Sequence, residues 1–353
     1  MLGGGTFTAQ NKTLPGAYIN FVNANNTNST LGERGVVAVA LPLSSTTAGT
    51  VVTCTAFDFY KNKSAVLGES ANANSVKALG EIFKHANKVY IYDNYVASGG
   101  SDTAPTVATI CDAFEPYEFN ILCAYTSTTG DVTAYINQIK EWRDNVGKKC
   151  QLVVYNATAP DHEGVINVVS TVTDDGADAH ALVAWVAGAE AACVLNESCT
   201  NMLYDGDYTI KVDKTQSELE TCITKGQIAF HLVYGNIRML EDVNSLTTTS
   251  ETKGADFKNN QTIRIIDQIA NDIAKLFNTK YLGKIPNNAS GRVSLWGDIV
   301  AHHRNLELIQ AIENFDATLV TVEQGATKKS VVVNDVITVT NAMSQLYMTV
   351  VIQ

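Results

Sequence analysis

The chain has 353 residues, 45% of them hydrophobic and 17% charged, with a formal net charge of −11. That length exceeds the usual limit of a single core, so two domains with extensions are expected, and the acidic balance argues against nucleic acid as the main ligand. No apolar run is long enough to span a bilayer, and the opening MLGGGTFTAQNK lacks the basic and apolar regions of a secretory signal, which points to a soluble protein folded in a cytoplasm.

The stretch to Val22 carries one charge, Lys12, and after the Pro15-Gly16 turn signal it holds the strand-like run Tyr18-Ile19-Asn20-Phe21-Val22. Residues 1–22 read as an extended arm, with Tyr18, Ile19 and Phe21 as its strand residues. The polar run that follows to Thr30 is turn-rich and reads as a hinge, with Asn23, Asn25 and Asn26 at its start. From about residue 74, helix and strand patterns alternate. A helix over 75–86 precedes the strand Lys88–Tyr92, another over 106–114 precedes a strand over 120–125, and a third over 132–146 precedes a strand over 150–155. A strand at 165–169 and an Ala-rich helix at 177–193 extend the unit. Apolar strands separated by amphipathic helices imply right-handed crossovers and a mostly parallel sheet. The Ala-rich helix, around Trp185, is too apolar to be exposed on all sides, and Gly188 would let it pack closely on another element.

After Cys222 the pattern changes. Two strand-like runs flank Tyr234-Gly235-Asn236, which is hairpin chemistry. A helix over 262–281 follows, with Ile266, Ile269, Ile273, Leu276 and Phe277 on one stripe, polar Asp267, Asn271 and Lys275 opposite, and Gly283 as its C-terminal cap. A second helix over 293–315 precedes a strand pair, 317–323 and 330–340, around Gly325. The last eighteen residues, Val336 to Gln353, carry no charge, proline or glycine and close on Leu346-Tyr347-Met348-Thr349-Val350-Val351-Ile352. An unpaired strand of that composition is an aggregation hazard, so it is expected to pair, either inside its own subunit or by addition to a neighbour's sheet. The expected fold is a mostly parallel α/β middle domain (23–225), an α+β C-terminal domain (226–335) and extended strand arms at 1–22 and 336–353. Charge divides unevenly: residues 1–224 hold 24 acidic and 13 basic side chains, and residues 225–353 hold twelve of each. That asymmetry suggests surfaces with different partners.

Motifs for chemistry are sparse. The chain has no G-x-G-x-x-G after a strand and no phosphate-binding G-x-x-x-x-G-K-[ST], so a nucleotide site is unsupported. Seven scattered cysteines without a C-x-x-C read as reduced core residues. Adjacent His302 and His303 point about a hundred degrees apart on a helix and cannot share a metal in the i,i+4 manner, so a helix-surface or interface pair is expected. Asp161-His162-Glu163 follows a strand end, where α/β enzymes place catalytic groups, but with no nucleophile elbow it reads as a solvated loop. Asp174-Asp175 before Gly176 reads as a turn capping the next helix.

Several segments together resemble the contractile phage tail sheath family. They are Gly4-Gly5-Thr6-Phe7, Leu14 to Phe21, Gly32 to Ala38, Ala184-Trp185-Val186-Ala187-Gly188-Ala189, Asn244 to Thr248, the helix around Ile269–Ile273, and Tyr281 to Asn288. The resemblance covers most of the chain in the right order, and the size is similar to compact sheaths of simple myophage-like tails, defective prophages and R-type bacteriocins. It implies a subunit that polymerises with itself as stacked hexameric rings around an inner tube, contracts to drive the tube through a target envelope, and exchanges terminal strands with its neighbours. Inter-subunit strands would then be carried by Tyr18, Ile19, Phe21, Leu346, Tyr347, Met348, Val350 and Ile352. It further implies the inner tube, baseplate and terminator as partners, no nucleic acid or membrane insertion, no cofactor, metal or catalytic residue, and a place in a virion tail or bacteriocin particle assembled in the bacterial cytoplasm. With the charge asymmetry it suggests an outward acidic part and a tube-facing helix 293–315, with Arg292, His303 and Arg304 as contacts. The rival is an α/β enzyme, hydrolase-like or nucleotide-binding, using the parallel sheet.

Overall fold

The run Val36 to Leu41 has no polar face. The computed structural model, which describes residues 31–44, 47–68, 71–96 and 103–352, places it at the middle of a seven-stranded sheet. This strand, β1 (Val36–Leu41), is buried along its whole length, as a parallel strand covered on both faces must be. Next come β2 (Val51–Thr55), the helices α1 (Ala56–Lys61), α2 (Lys63–Leu67) and α3 (Ala73–Ile82), and β3 (Lys88–Asp93). The chain continues through α4 (Val107–Phe114), β4 (Ile121–Cys123), α5 (Thr129–Glu141), β5 (Gln151–Tyr155), β6 (Val165–Val168), α6 (Leu182–Ala192), α7 (Gln216–Thr224) and β7 (Gln227–Ile228). The strand order is β2-β3-β1-β4-β5-β6-β7, and only the edge strand β2 runs antiparallel. The expected mostly parallel α/β architecture is present. Tyr18, Ile19, Phe21, Asn23, Asn25 and Asn26 lie outside the described residues.

α6 crosses one face of this sheet and is buried from Leu182 to Ala191. Its close fit depends on Gly188, where an added Cβ would sit 2.3 Å from the carbonyl oxygen of Ile82. Trp185 packs between the rings of His85, Tyr204 and Phe230 and gives its indole N–H to Asp205 Oδ1 at 2.8 Å. On the opposite face, α4, α5 and the turn that follows α5 pack Phe114, Tyr135, Ile139 and Trp142 over Leu122 and Leu152. All seven cysteines are buried free thiols.

Beyond the sheet, β8 (Phe230–Val233) and β9 (Asn236–Met239) form a hairpin turning through Tyr234 and Gly235, both at positive φ as a two-residue turn of this hand requires. Phe230 and Met239 belong to the core under α6, and β7 is itself a strand of the large sheet. The α/β unit therefore runs past residue 225, where the sequence reading ended it. α8 (Asn260–Leu276) passes into a wider turn over Phe277–Tyr281, and Gly283 follows at φ +70°, the left-handed position of a helix terminator. α9 (Ala289–Leu308) begins earlier than the periodicity predicts, because Asn288 caps it by accepting from Gly291 N at 2.8 Å. It also ends earlier. Gln310 turns at φ +62° and the chain enters β10 (Ile312–Glu313). β11 (Thr321–Gln324) and β12 (Val331–Asn334) make the expected hairpin, shorter than predicted because Ala317–Leu319 is a single 3-10 turn, and β13 (Thr338–Val339) pairs with β10. Among the described residues no helix is long and apolar enough to cross a membrane.

Candidate functional site

α8 joins the two regions through its polar side. Asp267, on the side of the helix opposite its apolar stripe, is buried and receives Arg143 in a two-pronged pair, Nη1 to Oδ2 at 2.5 Å and Nη2 to Oδ1 at 2.8 Å. One turn earlier, Arg264 Nη2 donates to Glu190 Oε2 at 2.7 Å and Asp242 Oδ2 at 3.1 Å, with all three side chains essentially out of water. Glu190 and Asp242 thus share one nitrogen of the guanidinium. Glu190 Oε1 and Asp242 Oδ1 are left without a donor, and one proton between the two carboxyls satisfies both. Burial, and then the Asp242 charge, hold Glu190 well above the usual carboxylate range. Burial opposes ionisation of Asp242, but the Arg264 charge, the Glu190 hydrogen bond and the Cys199 N–H together carry it below that range. Arg34 completes the joint by donating to Glu190 O and Cys193 O at the C-terminus of α6. Burial, and then the Arg264 charge, pull its guanidinium down to about 10.

The Asp161-His162-Glu163 segment is not a solvated loop. His162 and Glu163 are buried, and Asp161 accepts the N–H groups of Thr248 and Thr247, which hold its carboxyl far below the usual range. Asp144, His162 and Glu163 offer three potential metal ligands in one place. Gly164 N donates to His162 Nδ1 at 3.0 Å, so the ring hydrogen sits on Nε2, which donates to Asp144 Oδ2 at 3.2 Å and has no lone pair for a metal. Lys253 already neutralises Glu163, with Nζ 2.7 Å from Oε1. Asp174 does not cap α6 either; its Oδ2 accepts from Thr209 N at 2.7 Å. At the carboxyl end of β3, where an α/β enzyme would bind its ligand, the buried Asp93 carboxylate accepts from Leu43 N, Ser44 N, Thr47 Oγ1 and Tyr95 N. It is a loop tie.

His302 and His303 are fully buried, so neither lies on the helix surface, and His303 cannot serve as a tube contact in this packing. The neighbouring helix α8 and the segment after β12 cover that side of α9, through Asp272 and Asp335. Arg304 is exposed, and among the described residues it makes no ion pair; Glu307, its nearest candidate on the helix, instead accepts Phe315 N at 3.0 Å. Arg292 is half-buried in the first turn of α9 rather than ahead of it. Its Nη1 donates to Asn287 Oδ1 at 3.1 Å, at the rim of a cavity of about 100 Å³ between α9, β12 and the turn after α8.

The C-terminal segment leaves the body soon after β13. Thr340 N donates to Ala311 O and Ala342 N to Gln261 Oε1; beyond Ala342 no hydrogen bond among the described residues reaches the rest of the chain. Leu346, Tyr347 and Ile352 are 86%, 88% and 93% exposed, and Met348, Val350 and Val351 are also exposed. Of the two pairings expected for Val336–Gln353, the one inside its own subunit is made by β13 alone, and Leu346–Ile352 makes none among the described residues. The hairpin of β11 and β12 stands alone as a two-stranded sheet with Val332 and Val333 exposed.

Residues 100–245 match the phage tail sheath protein central domain, and residues 252–353 match the phage tail sheath C-terminal domain. The tail sheath protein of Clostridium phage phiCD119 is 29% identical over 184 residues, 51% of this chain and 51% of that protein. Matched stretches of the curated relatives span 40% to 51% of their own length. The sheath tail protein of Desulfitobacterium hafniense superposes with a TM-score of 0.72 at 26% identity, covering 88% of this chain and 93% of its own. The helical sheath of the anti-feeding prophage in its contracted state, 15% identical, has the same fold, with a TM-score of 0.73 over 96% of this chain and 99% of that one.

Proposed function

The chain belongs to the contractile phage tail sheath family, and from that premise we propose that it polymerises as stacked hexameric rings around an inner tube and contracts to drive the tube through a target envelope. The observation that carries the reading is the bare apolar segment from Leu346 to Ile352. A chain end with this composition, exposed and unpaired, is stabilised by adding to a sheet in another copy. The β11–β12 hairpin is the proposed acceptor: it packs on α9 through Val322 and Val331, but as a two-stranded sheet it keeps open edges beside exposed Val332 and Val333, where a neighbour's strand can add. Tyr18, Ile19 and Phe21 would form the matching N-terminal arm, with Asn23, Asn25 and Asn26 as the hinge that lets the body move while the arms stay paired.

In this reading the acidic α/β unit faces outward and the C-terminal region faces the tube, with exposed Arg304 and, at the cavity rim, Arg292 as charged contacts. Baseplate and terminator proteins would cap the polymer, the particle would be a virion tail or a bacteriocin assembled in the bacterial cytoplasm, and the work would be mechanical, without cofactor or catalytic residue. Electron microscopy of concentrated full-length protein, beside a chain lacking Leu346–Gln353, tests this. Hollow striated cylinders from the first and discrete particles from the second are expected. Normal cylinders from the truncated chain would remove the arm from the account, and discrete particles from both would return the enzyme reading.

A further inference from the structure

The adjacent histidines of α9 each turn Nε2 to a carboxylate. His302 Nε2 lies 2.9 Å from Asp272 Oδ2 on α8, and His303 Nε2 lies 2.5 Å from Asp335 Oδ2. An ionised carboxylate only accepts, so both Nε2 atoms carry hydrogen. The two Nδ1 atoms face each other at 3.2 Å. With no hydrogen between them two lone pairs meet, and with two hydrogens two N–H groups meet; one hydrogen makes a bond. Assigning protons by this network leaves the pair as one shared cation between two carboxylates.

The ends of the chain of bonds are placed where the terminal segments begin. Asp272 Oδ1 also accepts from Gly32 N at 3.0 Å, just after residues 1–30, and from Gln268 Nε2 at 2.9 Å. Asp335 directly precedes the segment 336–353. Phe315 lies edge-on to His303, and the other charged groups of α9 are engaged elsewhere or exposed: Glu307 accepts the Phe315 N–H, Asp298 pairs with Lys280, Arg292 donates to Asn287, and Arg304 is exposed.

We propose that Asp272, His302, His303 and Asp335 form a one-proton clamp that holds the roots of both terminal segments against α8 and α9 and makes their seating depend on pH. Raising pH removes the shared proton and sets lone pair against lone pair. Lowering pH adds a second proton to the pair or neutralises Asp335. Seating is tightest between these limits and loosens on either side. The consequence for assembly rests on the linking-arm reading given above; the clamp itself does not.

Amide hydrogen exchange over residues 331–340 of the dilute full chain, scanned with pH and corrected for the pH dependence of chemical exchange, reads the clamp directly. Protection around Ile337–Val339 should pass through a maximum and fall roughly ten- to hundredfold on each side, the range of one charge-assisted hydrogen bond. His303→Gln keeps an N–H for Asp335 without a proton to share, and should flatten the profile. Because His303 is buried, Asp335→Asn at a partly exposed carboxylate provides a second variant. It removes one of the two neutralising charges and should move the alkaline limb to lower pH. A flat profile for the unaltered chain, or an unmoved one for Asp335→Asn, would overturn the clamp. Loss of protection on adding a chelator would also overturn it, by putting a metal ion between the Nδ1 atoms. If exchange follows the proposed profile while cylinder formation ignores pH, the clamp stands and the linking-arm reading fails.

Discussion

α6 and α8 are both deeply buried helices, and they are buried by opposite chemistry. α6 buries Leu182, Val183, Trp185 and Val186 and reaches Ile82 through Gly188. α8 buries Asn260, Gln261, Arg264, Asp267, Gln268 and Asp272. Apolar burial is non-directional and gains from close packing alone. Buried charge gains little net stability but penalises every arrangement that leaves a partner unpaired. The first holds α6 on the sheet by shape alone. The second fixes the register of the C-terminal region against that body.

Substitutions should separate the two. Trp185→Ala removes the ring at the centre of the α6 cluster and the Asp205 hydrogen bond, and should cost about 3–5 kcal/mol by denaturant unfolding of the unassembled chain; a cost under about 1 kcal/mol would mean that the cluster is not what holds α6. Arg264→Lys keeps the charge but not the fork, and should cost about 1.5–3 kcal/mol, as expected for lost hydrogen bonds to charged groups. Glu190→Gln is the sharper control. If Glu190 is the protonated partner, an amide N–H replaces its O–H toward Asp242, and the change should stay below about 1 kcal/mol. The sign of the pH dependence follows from Asp242, whose folded-state pKa is depressed. Its contribution is present above the unfolded carboxylate range and lost as pH falls through the folded value. Stability that instead rises with acid through that window, in the Glu190→Gln background, would reverse the assignment.

The exposed surface should respond weakly. Arg304→Glu is expected to leave the fold intact and to weaken assembly on tubes by about 0–1 kcal/mol per contact, more at low salt than at high. Equal loss at both ionic strengths would argue for a packing role. Deleting Leu346–Gln353 should change unfolding of the unassembled chain least of all, since those side chains are exposed there, while abolishing polymer formation. A large loss of monomer stability would show that the segment has a partner within its own subunit.

Much of this division is legible in the sequence because it is periodic. β3 to β6 and the helices between them follow from apolar spacing, and the apolar character of the bare C-terminal segment is plain in its composition. β1 escapes a strand reading because Val36–Leu41 has no alternation to mark it. The polar face of α8 reads as solvated because the groups that bury it are remote in sequence: Asp267 meets Arg143 across 124 positions, and Arg264 meets Glu190 across 74. His302 and His303 are misplaced for the same reason, as their carboxylates come from α8 and from the root of the arm. The spacing of apolar residues along a helix shows which face is apolar; it cannot show that the other face has found its counter-charges.

The most direct measurement is a helical cryo-electron microscopy reconstruction of the polymer that the full chain forms. The account predicts that Leu346–Ile352 of one subunit is a strand hydrogen-bonded to the β11–β12 hairpin of its neighbour, with Val332 and Val333 covered. A polymer in which that segment folds back on its own subunit, or remains exposed while the rings hold together through other surfaces, would contradict it.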